Sequence, residues 1–173
     1  MQVVDYLQEL IRFPSVSSES NSEITDCVAE WLVRLGFETE RLNYDDEHGI
    51  RKSCVQARKG PAACQGLAYF CHTDVVPVSS WSFPKSGPWT PLIADGRIYG
   101  RGSCDMKGSL CCMLAAIESL HSTVLKSPLY FVATADEEIG MPGARKVVER
   151  SAMYREIVAA QARSIIGEPT QLE

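Results

Sequence analysis

Apolar residues recur every three or four positions in several stretches of the chain, a spacing typical of helices that bury one face. The first stretch ends at Pro14, and the second is followed by Gly36, which suits a helix C-terminus. Asn21 or Ser22 can cap the start of the second helix. Residues 106–120 are apolar on most faces, which predicts a central helix. The helices predicted from this pattern cover residues 2–12, 24–35, 106–120, 143–148 and 153–162.

Shorter stretches between the helices have the patterns of β-strands. Residues 66–71 and 129–135 are almost continuously apolar, which predicts strands that are buried on both faces. A charged turn at residues 45–52 joins two alternating stretches, and residues 92–99 carry a central Asp-Gly pair that predicts a hairpin. The alternating stretches cover residues 37–44 and 53–57, and a last short strand covers residues 164–166. Strands that alternate with helices predict an α/β fold, with a mostly parallel or mixed sheet sandwiched by helices.

Composition narrows the class of protein. The chain has 173 residues, of which 45% are hydrophobic, and a net charge of −5, as is typical of a single globular domain. It has no basic run and no uncharged apolar segment of roughly 18 residues, so we expect neither a nucleic acid nor a membrane as partner. The N-terminus lacks a secretory signal, and the seven cysteines are irregularly spaced. We therefore expect a cytoplasmic protein whose thiols are mostly small buried side chains.

A histidine and an aspartate follow the first apolar strand, and another aspartate precedes the central helix. His72 and Asp74 share one side of an extended segment. Metal-bound histidines often pass their second ring N–H to a carboxylate, although such a pair is also common at protein surfaces. Asp105 precedes the helix at 106–120, where it suits either an N-cap or a metal ligand held at the helix start.

Further carboxylates follow the later strands. An Asp-Glu-Glu run at residues 136–138 follows the strand at 129–135, and Glu168 follows the last strand. Three adjacent carboxylates repel one another unless a cation or solvent compensates them. One imidazole with several carboxylates suits zinc, manganese or cobalt, and the number of acids suggests two ions that share a carboxylate. The phosphate-binding GxxxxGK[ST] pattern and the GxSxG pattern of serine hydrolases are absent.

Four motifs occur in order along the chain: HTDVVP from His72, GRGSCDMKG from Gly100, DEEIG from Asp136 and GEPT from Gly167. Together they resemble the aminoacylase/carboxypeptidase family of co-catalytic zinc hydrolases. The cysteine before Asp105 and the last two motifs are most similar to the family's acetylornithine deacetylases. The resemblance implies removal of an acyl group from a small-molecule N-acyl amino acid, such as N-acetylornithine in arginine biosynthesis. Desuccinylases of succinyl-diaminopimelate, dipeptidases and carboxypeptidases of the same family are the alternatives.

The resemblance also implies a set of metal ligands. His72, Asp105 and Glu168 would hold the first of two zinc ions. Glu138 would bind the second ion, to which Asp105 would bridge. Cobalt or manganese is expected to be able to replace zinc at these two sites.

Two further roles follow from the same resemblance. Glu137 would act as the general base that takes a proton from the attacking water. Asp74 would orient the ring of His72, and the peptide bond between Asp105 and Met106 would be cis.

Members of that family are considerably longer, with a lid domain that dimerises and a late histidine that completes the second metal site. We therefore expect residues 1–173 to be the N-terminal portion of a catalytic domain, with one sheet edge uncovered. The chain alone is expected to hydrolyse N-acetyl amino acids poorly, and the full-length form to be a homodimer. A truncated relative that binds metal without turnover is the alternative. A structural zinc module built on cysteines is a third, but no ligand spacing fits it.

Overall fold

A five-stranded mixed sheet forms the centre of the structure, a computed structural model that describes residues 1–62 and 64–170. Its strands are β1 (Glu38–Asp45), β2 (Arg51–Lys59), β3 (Leu67–His72), β6 (Leu129–Thr134) and β7 (Arg163–Ile166). They lie in the order β1-β2-β6-β3-β7. β2 pairs antiparallel with β1 and β6, whereas β3 runs parallel to both of its neighbours. The two remaining strands, β4 (Leu92–Ala94) and β5 (Arg97–Tyr99), form a separate hairpin.

Helices cover both faces of the sheet. The helices are α1 (Val3–Ile11), α2 (Ser22–Arg34), α3 (Lys107–Ser119), α4 (Pro142–Arg150) and α5 (Ala152–Ala159). The first three pack on one face, where Leu10, Leu32 and Leu114 bury their side chains against apolar strand residues. On the other face, Val147 of α4 and Ile157 of α5 join a second core. The α/β fold with a mixed sheet sandwiched by helices is therefore confirmed.

Several local predictions agree with the structure. β3 and β6 are largely or wholly buried, as continuous apolar runs predict. The Asp95-Gly96 pair turns the β4–β5 hairpin with positive φ angles of 53° and 71°. Gly36 follows α2 with a φ of 84°, a conformation that glycine adopts without the steric cost of a side chain.

Three predictions are wrong in detail. The turn at 45–52 is shorter than expected, because Arg51 and Lys52 belong to β2. Helix α3 buries only one face and exposes residues such as Cys112, so it is not central. Most thiols are not buried: Cys27 is partly accessible, and the exposed thiols are those of Cys64, Cys104 and Cys112. Apolar composition alone does not reveal which face of a helix, or which cysteine, is covered by other parts of the fold.

The edge strand β7 is the least covered part of the sheet. One side of β7 pairs with β3, and all four of its residues are exposed. Ile166 reaches 69% exposure. This exposure agrees with the expectation that one edge of the sheet is uncovered.

Among the described residues, none of the helices has both the length and the apolar character needed to span a bilayer.

Candidate metal centre

The carboxyl ends of parallel strands meet at one edge of the sheet. His72, at the end of β3, lies opposite Thr134 at the end of β6. On the other side of β3, Ile166 at the end of β7 lies opposite Phe70. The segments that follow these strands carry the predicted site residues, as expected for a sheet of this kind. The topology thereby brings motifs from distant parts of the chain to one place.

His72 lies at the centre of the cluster of site residues. Its Nε2 atom is 3.2 Å from Asp105 Oδ1 and 3.4 Å from Glu168 Oε1. The same atom is 3.9 Å from Glu137 Oε2. Within the described residues, ligand atoms no more than 4.8 Å apart form two overlapping groups. One group joins His72 to Glu137 and Glu168, and the other joins it to Asp105 and Glu138.

All of the predicted ligands therefore lie within reach of a metal ion, but their grouping differs from the implied one. The grouping of Asp105 with Glu138 agrees with the implied bridge to the second ion, but Glu168 is grouped with Glu137 and not with Asp105. Glu137, the expected base, is as close to the cluster as the expected ligands are. The division of roles between Glu137 and Glu138 stays a prediction.

Asp74 orients the His72 ring through its backbone as well as its side chain. The ring Nδ1 atom is 2.9 Å from the Asp74 carbonyl oxygen and 3.5 Å from the carboxylate Oδ1. Sequence reasoning predicted only the carboxylate. With Nδ1–H directed at these oxygens, Nε2 faces the acidic cluster, where its lone pair becomes available to a metal ion that displaces its proton.

The Asp74 carboxylate also holds the turn that carries the paired glutamates. It accepts hydrogen bonds from the backbone N–H groups of Glu137 (3.1 Å) and Glu138 (3.3 Å) and from the Ser17 hydroxyl (2.7 Å). Burial alone would raise the pKa of Asp74, but the His72 ring and the Ser17 hydroxyl lower it below its usual range. Asp74 is therefore an anionic support behind the site and not one of the clustered ligand candidates.

Negative charge is crowded around His72. Burial and the neighbouring Asp105 carboxylate raise the pKa of Glu138. Burial also raises the pKa of Glu168; His72 opposes this effect and Asp105 adds to it. Burial lowers the pKa of His72, but Asp74 and Glu168 outweigh burial and raise it to about 9. A divalent cation would relieve this repulsion, so one imidazole with four nearby carboxylates fits zinc, manganese or cobalt.

The Asp105 side chain contacts the acidic cluster and does not cap helix α3. The N-cap of α3 is Met106, and no side-chain capping bond is present there. The Asp105 side chain, 51% exposed, is directed at His72 instead. The N-cap interpretation of Asp105 is therefore wrong, whereas the expected cis peptide bond between Asp105 and Met106 is present.

Two side chains that contact Asp136 were not predicted from the sequence. Lys52 is completely buried, with its Nζ atom 2.9 Å from Asp136 Oδ1. The Tyr44 hydroxyl donates to Asp136 Oδ2 over 2.7 Å. The need for a compensating cation beside three adjacent acids was recognisable, but Lys52 lies far away in sequence and falls in a stretch that reads as a charged turn.

A cleft of about 720 Å³ adjoins the cluster at Glu138. Its lining includes the basic residues Arg145 and Lys146 and the acidic residues Asp45 and Glu47. Its volume lies in the range of small-molecule binding sites. The cleft is therefore large enough for a small molecule beside Glu138.

Comparison with known proteins places this site in a family. A sequence model of Peptidase family M20/M25/M40 matches residues 68–173. The chain is 36% identical over 172 residues to an acetylornithine deacetylase from Myxococcus xanthus, covering 96% of this chain and 41% of the relative. The chain thus spans less than half the length of this relative.

Two solved structures share the fold. Human carnosine dipeptidase 1 superposes with a TM-score of 0.79 at 21% identity, covering 96% of this chain and 38% of that one. The M20 family metallo-carboxypeptidase Sso-CP2 from Sulfolobus solfataricus gives 0.75 at 26% identity, covering 96% and 37%. With a family match that spans more than half of its residues, the chain belongs to Peptidase family M20/M25/M40.

Proposed function

We propose that this chain carries the metal-binding half of a hydrolase that removes the acyl group from an N-acyl amino acid, with N-acetylornithine as the substrate. The observation that carries the proposal is the convergence of His72, Asp105 and Glu168 with the paired glutamates at one sheet edge. The choice of N-acetylornithine is supported by the similarity to the Myxococcus deacetylase. In this proposal the enzyme acts in arginine biosynthesis in the cytoplasm.

The proposed ligands are His72, Asp105 and Glu168 for one zinc ion and Asp105 with Glu138 for the other. When bound, the two ions supply an acidified water molecule and an electrophile for the substrate carbonyl. The part of the relative's length that this chain does not cover would supply the remaining ligand, the substrate-binding lid and the homodimer contact.

Glu137 moves the proton in this mechanism. Its carboxylate takes a proton from the attacking water and returns it to the leaving amine. Asp74 keeps the Glu137 carboxylate in reach by accepting its backbone N–H, and orients the His72 ring. The positively charged side chains of Arg145 and Lys146 line the adjoining cleft, where they suit a substrate carboxylate.

Zinc retention tests the proposal. The purified 173-residue chain is exposed to zinc and gel-filtered, and its metal content is then measured by elemental mass spectrometry. We expect close to two ions per chain if the second site closes without the lid, and one ion if it does not. Asp105→Asn should lose zinc, whereas Asp95→Asn in the β4–β5 turn should not. A wild-type chain that retains no zinc would contradict the metal-dependent function.

Substrate choice is tested separately on a full-length form, because the lid would bind the substrate. Zinc-dependent release of ornithine from N-acetylornithine by that form should be faster than its hydrolysis of N-succinyl-diaminopimelate or of a dipeptide. Preference for either competitor would replace the proposed substrate with that class. Robust turnover by this chain alone would contradict the expectation that the remaining part is needed.

A further inference from the structure

Lys52 is an unusual residue to find in the interior of β2. Its side chain has 0% exposure, and burial of an ammonium group is costly unless its hydrogen bonds are satisfied. The Nζ atom donates to the carbonyl oxygens of Ser17 (2.5 Å) and Glu19 (2.9 Å) and lies 2.9 Å from Asp136 Oδ1. Two of the ammonium N–H groups therefore have carbonyl partners, and the charge forms an ion pair with the Asp136 carboxylate, with Asp46 Oδ2 a further 3.7 Å contact.

Asp136 directly precedes the paired glutamates, Glu137 and Glu138. It is 1% exposed, and its backbone has φ and ψ angles of 59° and 33°, in the left-handed region that residues other than glycine seldom adopt. A one-turn helix, Glu137–Ile139, begins directly after it. The Lys52 ammonium lies beside one carboxylate oxygen of Asp136 and the Tyr44 hydroxyl donates to the other, so contacts at both oxygens restrain the conformation of Asp136.

A second connection links Lys52 to the same turn. The Ser17 carbonyl accepts from Lys52, and the Ser17 hydroxyl donates to Asp74 Oδ2 over 2.7 Å. Asp74 in turn accepts the backbone N–H groups of Glu137 and Glu138. Lys52 therefore supports the turn at its start through Asp136 and along its length through Ser17 and Asp74.

We propose that Lys52 is a positioning residue: through Asp136 and Ser17, it fixes the turn that directs Glu137 and Glu138 toward the His72 cluster. Its charge compensates Asp136 and keeps that carboxylate away from the proposed metal ligands. The importance of Lys52 for catalysis rests on the proposed function. The positioning of the turn does not, because it depends on contacts within the metal-free chain. Removal of Lys52 would leave a buried carboxylate without a counter-charge, which is the costly way to break such a pair.

Amide hydrogen exchange of the metal-free chain tests the positioning directly. Relative to amides in the middle of β6, the Glu137 and Glu138 amides should exchange about tenfold faster or more in Lys52→Met than in the wild type. Lys59→Met is the matched control. Lys59 lies in the same strand and also donates to backbone carbonyls, those of Leu35 (2.9 Å) and His121 (3.1 Å). It should leave the relative exchange of the two glutamate amides unchanged.

A double variant separates positioning from simple stabilisation. Asn tolerates the left-handed conformation and can still accept the Tyr44 O–H, so Lys52→Met combined with Asp136→Asn removes the uncompensated buried charge. We expect this double variant to regain stability lost in Lys52→Met, as measured by thermal unfolding, while the Glu137 and Glu138 amides still exchange faster than in the wild type. If Lys52→Met does not fold, the double variant alone is compared with the wild type and must show this faster exchange. Wild-type protection at Glu137 and Glu138 in the double variant, or in Lys52→Met, would overturn the proposal.

Visible absorption of bound Co²⁺ gives a second readout at the site. Lys52→Met should bind Co²⁺ about tenfold to a hundredfold more weakly than the wild type, whereas Lys59→Met should bind it normally. Equal Co²⁺ affinity and spectrum in Lys52→Met and wild type would contradict the proposal. Failure of the wild type to bind either Co²⁺ or zinc would instead contradict the proposed function, and hydrogen exchange would still decide the role of Lys52.

Discussion

His72 supplies an imidazole with different surroundings at its two nitrogens. Nδ1 faces oxygens of Asp74, whereas Nε2 faces the carboxylates of Asp105 and Glu168. The chain's two other histidines lie elsewhere: His48 contacts Glu47 in an exposed turn, and His121 follows α3. Because Nε2 has one lone pair, the orientation of the ring determines how His72 would bind its proposed ion.

Asp74→Ala should weaken zinc binding by about 10- to 100-fold, as measured by competition with a chromogenic chelator. The backbone carbonyl that faces His72 remains in this variant, so the loss arises chiefly from the released Glu137 and Glu138 amides. Ser17→Ala removes one of the hydrogen bonds to Asp74 and should cause a smaller loss. An unchanged zinc affinity in Asp74→Ala would show that its carboxylate does not support the site.

Glu137→Gln should abolish hydrolysis by the metal-loaded enzyme and leave its zinc content nearly intact, because the change removes a base and not a ligand. Glu138→Gln should instead lower the zinc content. Elemental mass spectrometry and release of free amino acid measure the two properties on the same samples. Loss of zinc in Glu137→Gln with retention in Glu138→Gln would mean that the two glutamates exchange roles.

At the scale of elements, the sequence predicts those features that depend on local patterns. The continuous apolar runs of β3 and β6 and the Asp95-Gly96 turn are recognisable from neighbouring residues alone. The four motifs and the order in which they occur then identify the family and the candidate ligands. The rest depends on contacts between distant segments: the burial of Lys52 requires Asp136, which no local pattern links to it.

The close approach of β7 to α3 is another contact that the sequence does not reveal. A Cβ atom on Gly167 would lie 2.2 Å from the Tyr69 hydroxyl oxygen and 2.6 Å from both Met106 Cε and Ser109 Oγ. A larger residue here would require these packed side chains or the segment itself to shift. Glu168 is the next residue, so the packing of Gly167 against Tyr69 and the start of α3 fixes the backbone position from which the Glu168 side chain extends.

Gly167→Ala should therefore lower the free energy of unfolding by about 1–3 kcal/mol and weaken zinc binding by displacing Glu168. Thermal unfolding and zinc competition measure the two effects. Gly87→Ala is a suitable control, because its Cβ would lie 3.5 Å from Thr90 Oγ1, an ordinary contact. Normal stability and zinc affinity in Gly167→Ala would show that the segment shifts without consequence for the site.

At the scale of the whole molecule, the cluster joins elements that are far apart in the sequence. His72 belongs to the buried strand β3, Asp105 to the start of α3, and Glu168 to the segment after the exposed edge strand β7. An ion bound by all three side chains would connect the core of the sheet to its least covered strand. Metal binding would in this way stabilise the folded form by mass action.

This arrangement has a consequence for proteolysis. Arg163 opens β7 and is exposed, so trypsin can cut after it whenever the strand detaches from β3. Zinc should slow this cleavage and a chelator should accelerate it, as followed by mass spectrometry of the fragments. Cleavage after Lys85, which lies in an exposed loop and is not among the clustered residues, should not respond to zinc. Equal rates of cutting at Arg163 with and without zinc would contradict the connection. Because a cut at this place separates Glu168 from the chain, loss of the metal would become irreversible in the presence of a protease, and the bound ions would determine the lifetime of the protein as well as its chemistry.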